Sequence, residues 1–141
     1  AADSGIAGLI IPDLPPEEGD NFAEKARAQN VAPILIYAPT TSDQRMQELD
    51  KYGAGFIYCT ARKGVTGKQS EFGADFFAYL ARCRQATTKP LAVGFGIQSR
   101  NDVQEITGKA DMAVVGSRTI TLVDEEGSDK VGPFIRELLG N

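Results

Sequence analysis

Five short apolar runs constrain this chain most: residues 7–11 (AGLII), 34–38 (ILIYA), 55–60 (GFIYCT), 91–95 (LAVGF) and 112–115 (MAVV). Each is continuous rather than alternating, the habit of strands covered on both faces in a parallel sheet. Between them lie segments with helical spacing. The first opens at Pro15-Pro16-Glu17-Glu18, with proline and acid in its first turn, and carries Phe22, Ala23 and Ala26 on one face. The second opens at Thr41, with Gln44 at capping-box spacing, runs through Met46 and Leu49 and stops at Gly53. The third sets Phe72, Phe76, Tyr79, Leu80 and Cys83 at intervals of three and four, an apolar stripe that needs a sheet to cover. The fourth opens at Ser99 with Asp102 three residues on, and points Val103 and Ile106 inward; the last has Pro133 near its start, then Phe134, Ile135, Leu138 and Leu139. A short extra helix is expected over 117–122, and Asp124-Glu125-Glu126 reads as a solvated loop before Gly127.

This is β-α five times over, which implies right-handed crossovers and a parallel α/β sheet. Unit spacings of about 20 to 35 residues suit either a doubly wound sheet or consecutive units of a (β/α) barrel, and the pattern alone does not choose. The 141 residues are read as a single domain, 1–141, because a chain of this length buries one sizeable core and not two.

Composition removes several functions. There is no histidine, so no imidazole serves as base, acid or metal ligand. Net charge is −4 with the lysines and arginines scattered, which argues against nucleic acid and against a polybasic membrane contact. No apolar stretch approaches the ~20 residues of a membrane span, and no basic region precedes the first apolar run. The expectation is a soluble, cytoplasmic protein. Cys59 and Cys83 lack C-x-x-C spacing and read as buried small hydrophobes rather than a disulfide or a metal site; no metal is expected.

The residues that carry chemistry follow the apolar runs, where ligand sites of parallel α/β folds lie. The third run leads into Arg62-Lys63-Gly64-Val65-Thr66-Gly67, the fourth into Gly94-Phe95-Gly96-Ile97 and the fifth into Gly116-Ser117-Arg118. Glycine lets backbone N–H groups approach an oxyanion, and the start of a following helix supplies unpaired amides and a partial positive charge. Together these loops read as a phosphate cradle, although singly GFGI could be a strand-end turn and Gly116-Ser117 an ordinary helix cap. Neither a Walker nor a Rossmann loop is present, so nucleotides are not favoured.

IIPDLPPEE at 10–18, APTTSDQR at 38–45, YGAGFIYCTARKGVTG at 52–67, VGFGI at 93–97 and VVGS at 114–117 together resemble the C-terminal part of the tryptophan synthase α subunit family, from about the fourth barrel strand onward. The resemblance implies a partial TIM (β/α)8 barrel. It also implies a carbon–carbon lyase of tryptophan biosynthesis, which splits indole-3-glycerol phosphate into indole and glyceraldehyde 3-phosphate by retro-aldol chemistry. The family's α subunit uses no cofactor, and it passes indole to a β subunit that holds pyridoxal phosphate.

Carried over by position, Gly67, Gly96, Gly116 and Ser117 match the groups that bind the substrate phosphate. Tyr58 matches a residue of the indole pocket, though a plain barrel-core aromatic reads the same way, and Phe95 matches a pocket wall or only fills space. Thr66, with Gly64, belongs to the lid loop, and Asp13 to the edge of the site. Two positions depart from the family: Ala61 stands where a serine is frequent, and Arg118 replaces a small residue, either adding a cation near phosphate or lying solvated on its helix.

The same resemblance assigns the essential glutamate and aspartate to barrel strands upstream of this chain. No catalytic residue is expected here, and the chain alone is expected to be inactive. The alternative is a non-catalytic half-barrel, a phosphate-binding or assembly module whose unpaired edges at 7–11 and 112–115 would drive self-association.

Overall fold

The computed structural model describes residues 1–19, 21–60, 72–94 and 96–140. Its strands are β1 (Gly8–Ile10), β2 (Ala32–Tyr37), β3 (Ile57–Thr60), β4 (Leu91–Gly94) and β5 (Met112–Ala113). The helices are α1 (Phe22–Ala28), α2 (Asp43–Asp50), α3 (Ala74–Ala86), α4 (Arg100–Ile106), α5 (Ser117–Glu126) and α6 (Val131–Leu139). The five strands form one sheet in the order β1-β2-β3-β4-β5, every pair parallel. A doubly wound sheet reverses its strand order at a switch point, whereas consecutive barrel units keep sequence order. The order therefore decides between the two architectures, and the fold is an arc of a TIM-like barrel.

The core sits where β3 and β4 meet α3. Ile57, Cys59, Leu91 and Val93 are fully buried against Phe76, Leu80 and Cys83 of α3, with Tyr37 and Met46 closing the cluster. Burying the two tyrosines is tolerated because both hydroxyls are satisfied: Tyr79 donates to the Tyr37 carbonyl and Tyr37 to the Met46 carbonyl, each at 2.7 Å. Both cysteines are free and buried, as read from sequence. Along β3 the burial alternates, so Ile57 and Cys59 face the helices while Tyr58 and Thr60 face the other side. That second face is the inside of the barrel arc, and its C-terminal end is where a ligand would be met.

Several local expectations are corrected. α1 starts at Phe22 and not at Pro15-Pro16, because the residue before a proline is pushed out of the helical region and Gly19 intervenes; residues 16–18 form a turn instead. The cap of α2 is Ser42, whose hydroxyl accepts from Arg45 N at 3.2 Å, while Thr41 Oγ1 accepts from Ala38 N and so closes the preceding turn. α2 ends at Asp50, short of Gly53. Residues 124–126 lie in the last turn of α5 and not in a loop, since nothing stops that helix before Gly127. β5 is two residues long and both are exposed, although its sequence reads as a buried run. By contrast, Ser99 and Asp102 form the expected capping box at the start of α4.

Candidate functional site

Over the C-terminal ends of β3, β4 and β5 lies a cavity of about 230 Å³. Tyr58 enters from β3, Gly96, Ile97 and Gln98 from the loop after β4, and Val114, Gly116, Ser117 and Arg118 from the turn between β5 and α5. Each contribution has a local cause. Gly96 has φ 99°, a left-handed conformation that a side chain would strain. Gly94 lies against the Tyr58 phenol: a Cβ there would overlap the hydroxyl and Cζ and stand 2.8 Å from Cε2, so only glycine lets the ring lie across β4. Burial pushes the Tyr58 hydroxyl pKa up, keeping it neutral and able to donate.

Gly116 is the N-cap of α5 and offers no side chain to its first amides, and the first turn carries no acidic residue. The opening N–H groups of α5 and the positive end of its dipole therefore face this cavity uncompensated. Among the described residues no carboxylate lines it. The arrangement can hold an anion and a small ring beside it, and its described lining holds no Asp, Glu or Lys to move a proton at neutral pH. A larger groove of about 520 Å³ runs between α3 and residues 108–111, away from the strand ends, and there Arg84 is already paired with Asp111 at 2.5 Å.

Of the residues singled out from sequence, Tyr58, Gly96, Gly116, Ser117 and Arg118 come together in the cavity. Gly67, Phe95, Thr66 and Gly64 lie outside the described residues. Asp13 sits in an exposed turn after β1, at the opposite edge of the sheet from β5, and does not line the cavity. Its loop is tied down by Glu17, which accepts two hydrogen bonds from Arg45 of α2; that guanidinium holds the Glu17 carboxyl down at about 2. Gln98 and the seat at Gly94 were missed: Gln98 only shows as the residue before a helix cap, and Gly94 takes its meaning from a side chain on another strand. Among the described residues no cluster of acidic or thiol side chains could hold a metal ion, and no helix is long and apolar enough to cross a membrane.

Parallel strands in sequence order, with glycine loops and a helix N-terminus converging over the last three, define an arc of a (β/α) barrel with its ligand face toward the C-terminal strand ends. The family model for the tryptophan synthase alpha chain matches residues 1–137, and the chain belongs to that family. The tryptophan synthase alpha chain of Desulfotalea psychrophila is 56% identical over 138 residues, 98% of this chain and 54% of its own length. That of Desulforapulum autotrophicum is 52% identical over 137 residues, again 54% of its length. The chain thus spans about half the length of the curated relatives it matches. Among solved structures, a chain of the tryptophan synthase a2b2 complex from the hyperthermophile Pyrococcus furiosus superposes with a TM-score of 0.89 at 30% identity, over 99% of this chain and 58% of that one.

Proposed function

We propose that this chain supplies the carboxy-terminal β-α units of a tryptophan synthase alpha chain, one domain over 1–141, and that its share of the lyase reaction is to anchor the phosphate of indole-3-glycerol phosphate. The observation that carries this is the convergence of Gly96, Gly116 and Ser117 on one cavity at the strand ends. Backbone amides there would take the phosphate oxygens, with the Ser117 hydroxyl as a further donor. Gly67 would join them, Tyr58 and Phe95 would flank the indole, Thr66 and Gly64 would belong to the covering loop, and Asp13 would stand at the edge. The chemistry needs no cofactor. It does need a proton delivered to the indole ring and another removed from the substrate hydroxyl, and the carboxylates for both would come from outside this set of residues.

The family and the likeness to an a2b2 complex support a β subunit as partner and a cytoplasmic setting. Titration with inorganic phosphate, followed by amide chemical shifts, tests the reading. Saturable shifts at Gly96, Gly116 and Ser117 are expected, and none at those three would reject it.

Ile10, Ile11 and Met112, 38 to 40% exposed at the two ends of the sheet, favour self-association by a chain in this form, as an assembly module would show. Sedimentation should give a dimer or larger species; a well-folded monomer at high concentration would sink this part.

A further inference from the structure

We infer that Arg118 is a specificity-determining residue of this cavity, a cation that clamps a doubly charged phosphate monoester and discriminates against singly charged anions. The inference rests on the phosphate reading above.

Arg118 is the second residue of α5 and lines the cavity with Gly96, Gly116 and Ser117. Its guanidinium has no carboxylate or carbonyl partner among the described residues, and its contact is with the Phe134 ring of α6, 5.7 Å from the ring centroid. Four other cations of the described residues are paired: Arg45 with Glu17, Arg82 with Asp43, Arg84 with Asp111 and Lys89 with Asp50. Stacking engages the flat face of a guanidinium and leaves its N–H edge available for a bidentate acceptor. Phe134 is itself buried with Leu122 and Leu138, so the stack rests on a fixed surface.

The position is also electrostatically adverse. A cation in the first turn of a helix adds to the positive end of the dipole, and here neither a first-turn acid nor a capping side chain offsets it. Local rules broken without internal compensation are expected where a ligand supplies the missing charge. Backbone amides attract any oxyanion through partial charges; adding a full charge makes the second negative charge of a phosphate count. In a chain of net charge −4, that local field must also overcome general repulsion of a dianion.

The test titrates inorganic phosphate into the 141-residue chain above its second ionisation, with Arg118→Met and Arg118→Lys alongside the parent. Methionine keeps an apolar stem against Phe134 and removes the charge; lysine keeps the charge and loses the fork. Arg118→Met should weaken phosphate about tenfold, the scale of one charge-assisted hydrogen bond, with Arg118→Lys recovering part of the loss. The parent should lose affinity when pH drops to where phosphate is a monoanion, and Arg118→Met should lose less. Equal midpoints for parent and Arg118→Met, with the Gly96, Gly116 and Ser117 shifts intact, overturn the inference and leave the phosphate reading standing. If the parent shows no shifts at those amides, the phosphate reading fails and this inference with it.

Discussion

Alanine at position 94 will destabilise the chain by about 3 kcal/mol, at the upper end of overpacking effects, which for a domain of this size lowers the melting temperature by roughly 10 °C. The cause is a collision that cannot relax cheaply. β4 is buried along its whole length and hydrogen-bonded on both sides, to β3 through Thr60↔Gly94 and to β5 through Val93↔Ala113. Its backbone cannot retreat from a methyl group. The Tyr58 ring, whose hydroxyl and edge occupy the space a Cβ would take, must swing instead, and the free direction is into the cavity. A loss of fold stability and a loss of phosphate affinity are therefore coupled outcomes of one substitution. The double-mutant cycle with Tyr58→Leu identifies the origin: removing the phenol should recover most of the cost, giving an interaction energy of about 2 kcal/mol. Chemical denaturation of the four proteins measures it. Independent, additive effects, or a Gly94→Ala variant within 0.5 kcal/mol of the parent, would show that the ring is not what reserves this position for glycine.

That contact illustrates what the residues disclose by themselves. Local signals translated well where one element settles its own conformation. LAVG reads as a strand covered on both faces and is one, α3 buries Phe76, Tyr79, Leu80 and Cys83 at the spacing that announces them, and Ser99 with Asp102 caps α4. Where two local signals compete, the geometry of the neighbouring turn decides. Thr41 and Ser42 both can cap α2, and the turn at Ala38 takes the first, leaving the second to the helix. The double proline before α1 looks like a helix start in composition, but its own sterics delay the helix to Phe22.

Strand order is the clearest case of information absent from local pattern. Units of the same length build either a doubly wound sheet or a barrel, and only register between distant strands, such as Ile57 between Leu35 and Leu91, distinguishes them. The site divides in the same way. Gly96, Gly116 and Ser117 stand out in sequence only as a set on successive strand ends, since each alone also reads as a turn or a cap, and they line one cavity. The seat that Gly94 makes for Tyr58, and the ring of Phe134 beneath Arg118, are pairings between separate elements that no spacing rule encodes.

Incubated with indole-3-glycerol phosphate, this chain alone will release no measurable indole, and release will appear when the remaining half of a relative's alpha chain is added. Breaking the bond between the indole ring and the glycerol phosphate side chain requires a proton on the ring carbon and removal of the hydroxyl proton as the aldehyde forms. Each transfer assisted by a positioned acid or base is worth about 10² to 10⁴ in rate. Among the described residues the cavity over β3, β4 and β5 has no carboxylate in its lining, and Asp13 stands in an exposed turn at the far edge of the sheet. Burial raises the Tyr58 hydroxyl pKa, which disfavours its ionised form. Binding without proton transfer gives an occupied, unreactive site.

Complementation has a structural basis in the sheet. Among the described residues β1 and β5 each have one unpaired side, and beside β5 a groove of about 340 Å³ between α4 and α6 leaves Met112, Ile135 and Leu139 exposed. A closed barrel of eight units occupies about 250 residues and leaves no such edges, and the Desulfotalea psychrophila alpha chain, 56% identical where it matches, is about twice the length of the match. Residues outside the matched half of that relative are the natural complement. Mixing the two polypeptides should give a defined one-to-one complex, with indole release rising with complex concentration. Turnover by the chain alone at an ordinary enzymatic rate would show that a carboxylate within its 141 residues performs the proton transfer, and the assignment of this half as the phosphate anchor alone would have to be abandoned.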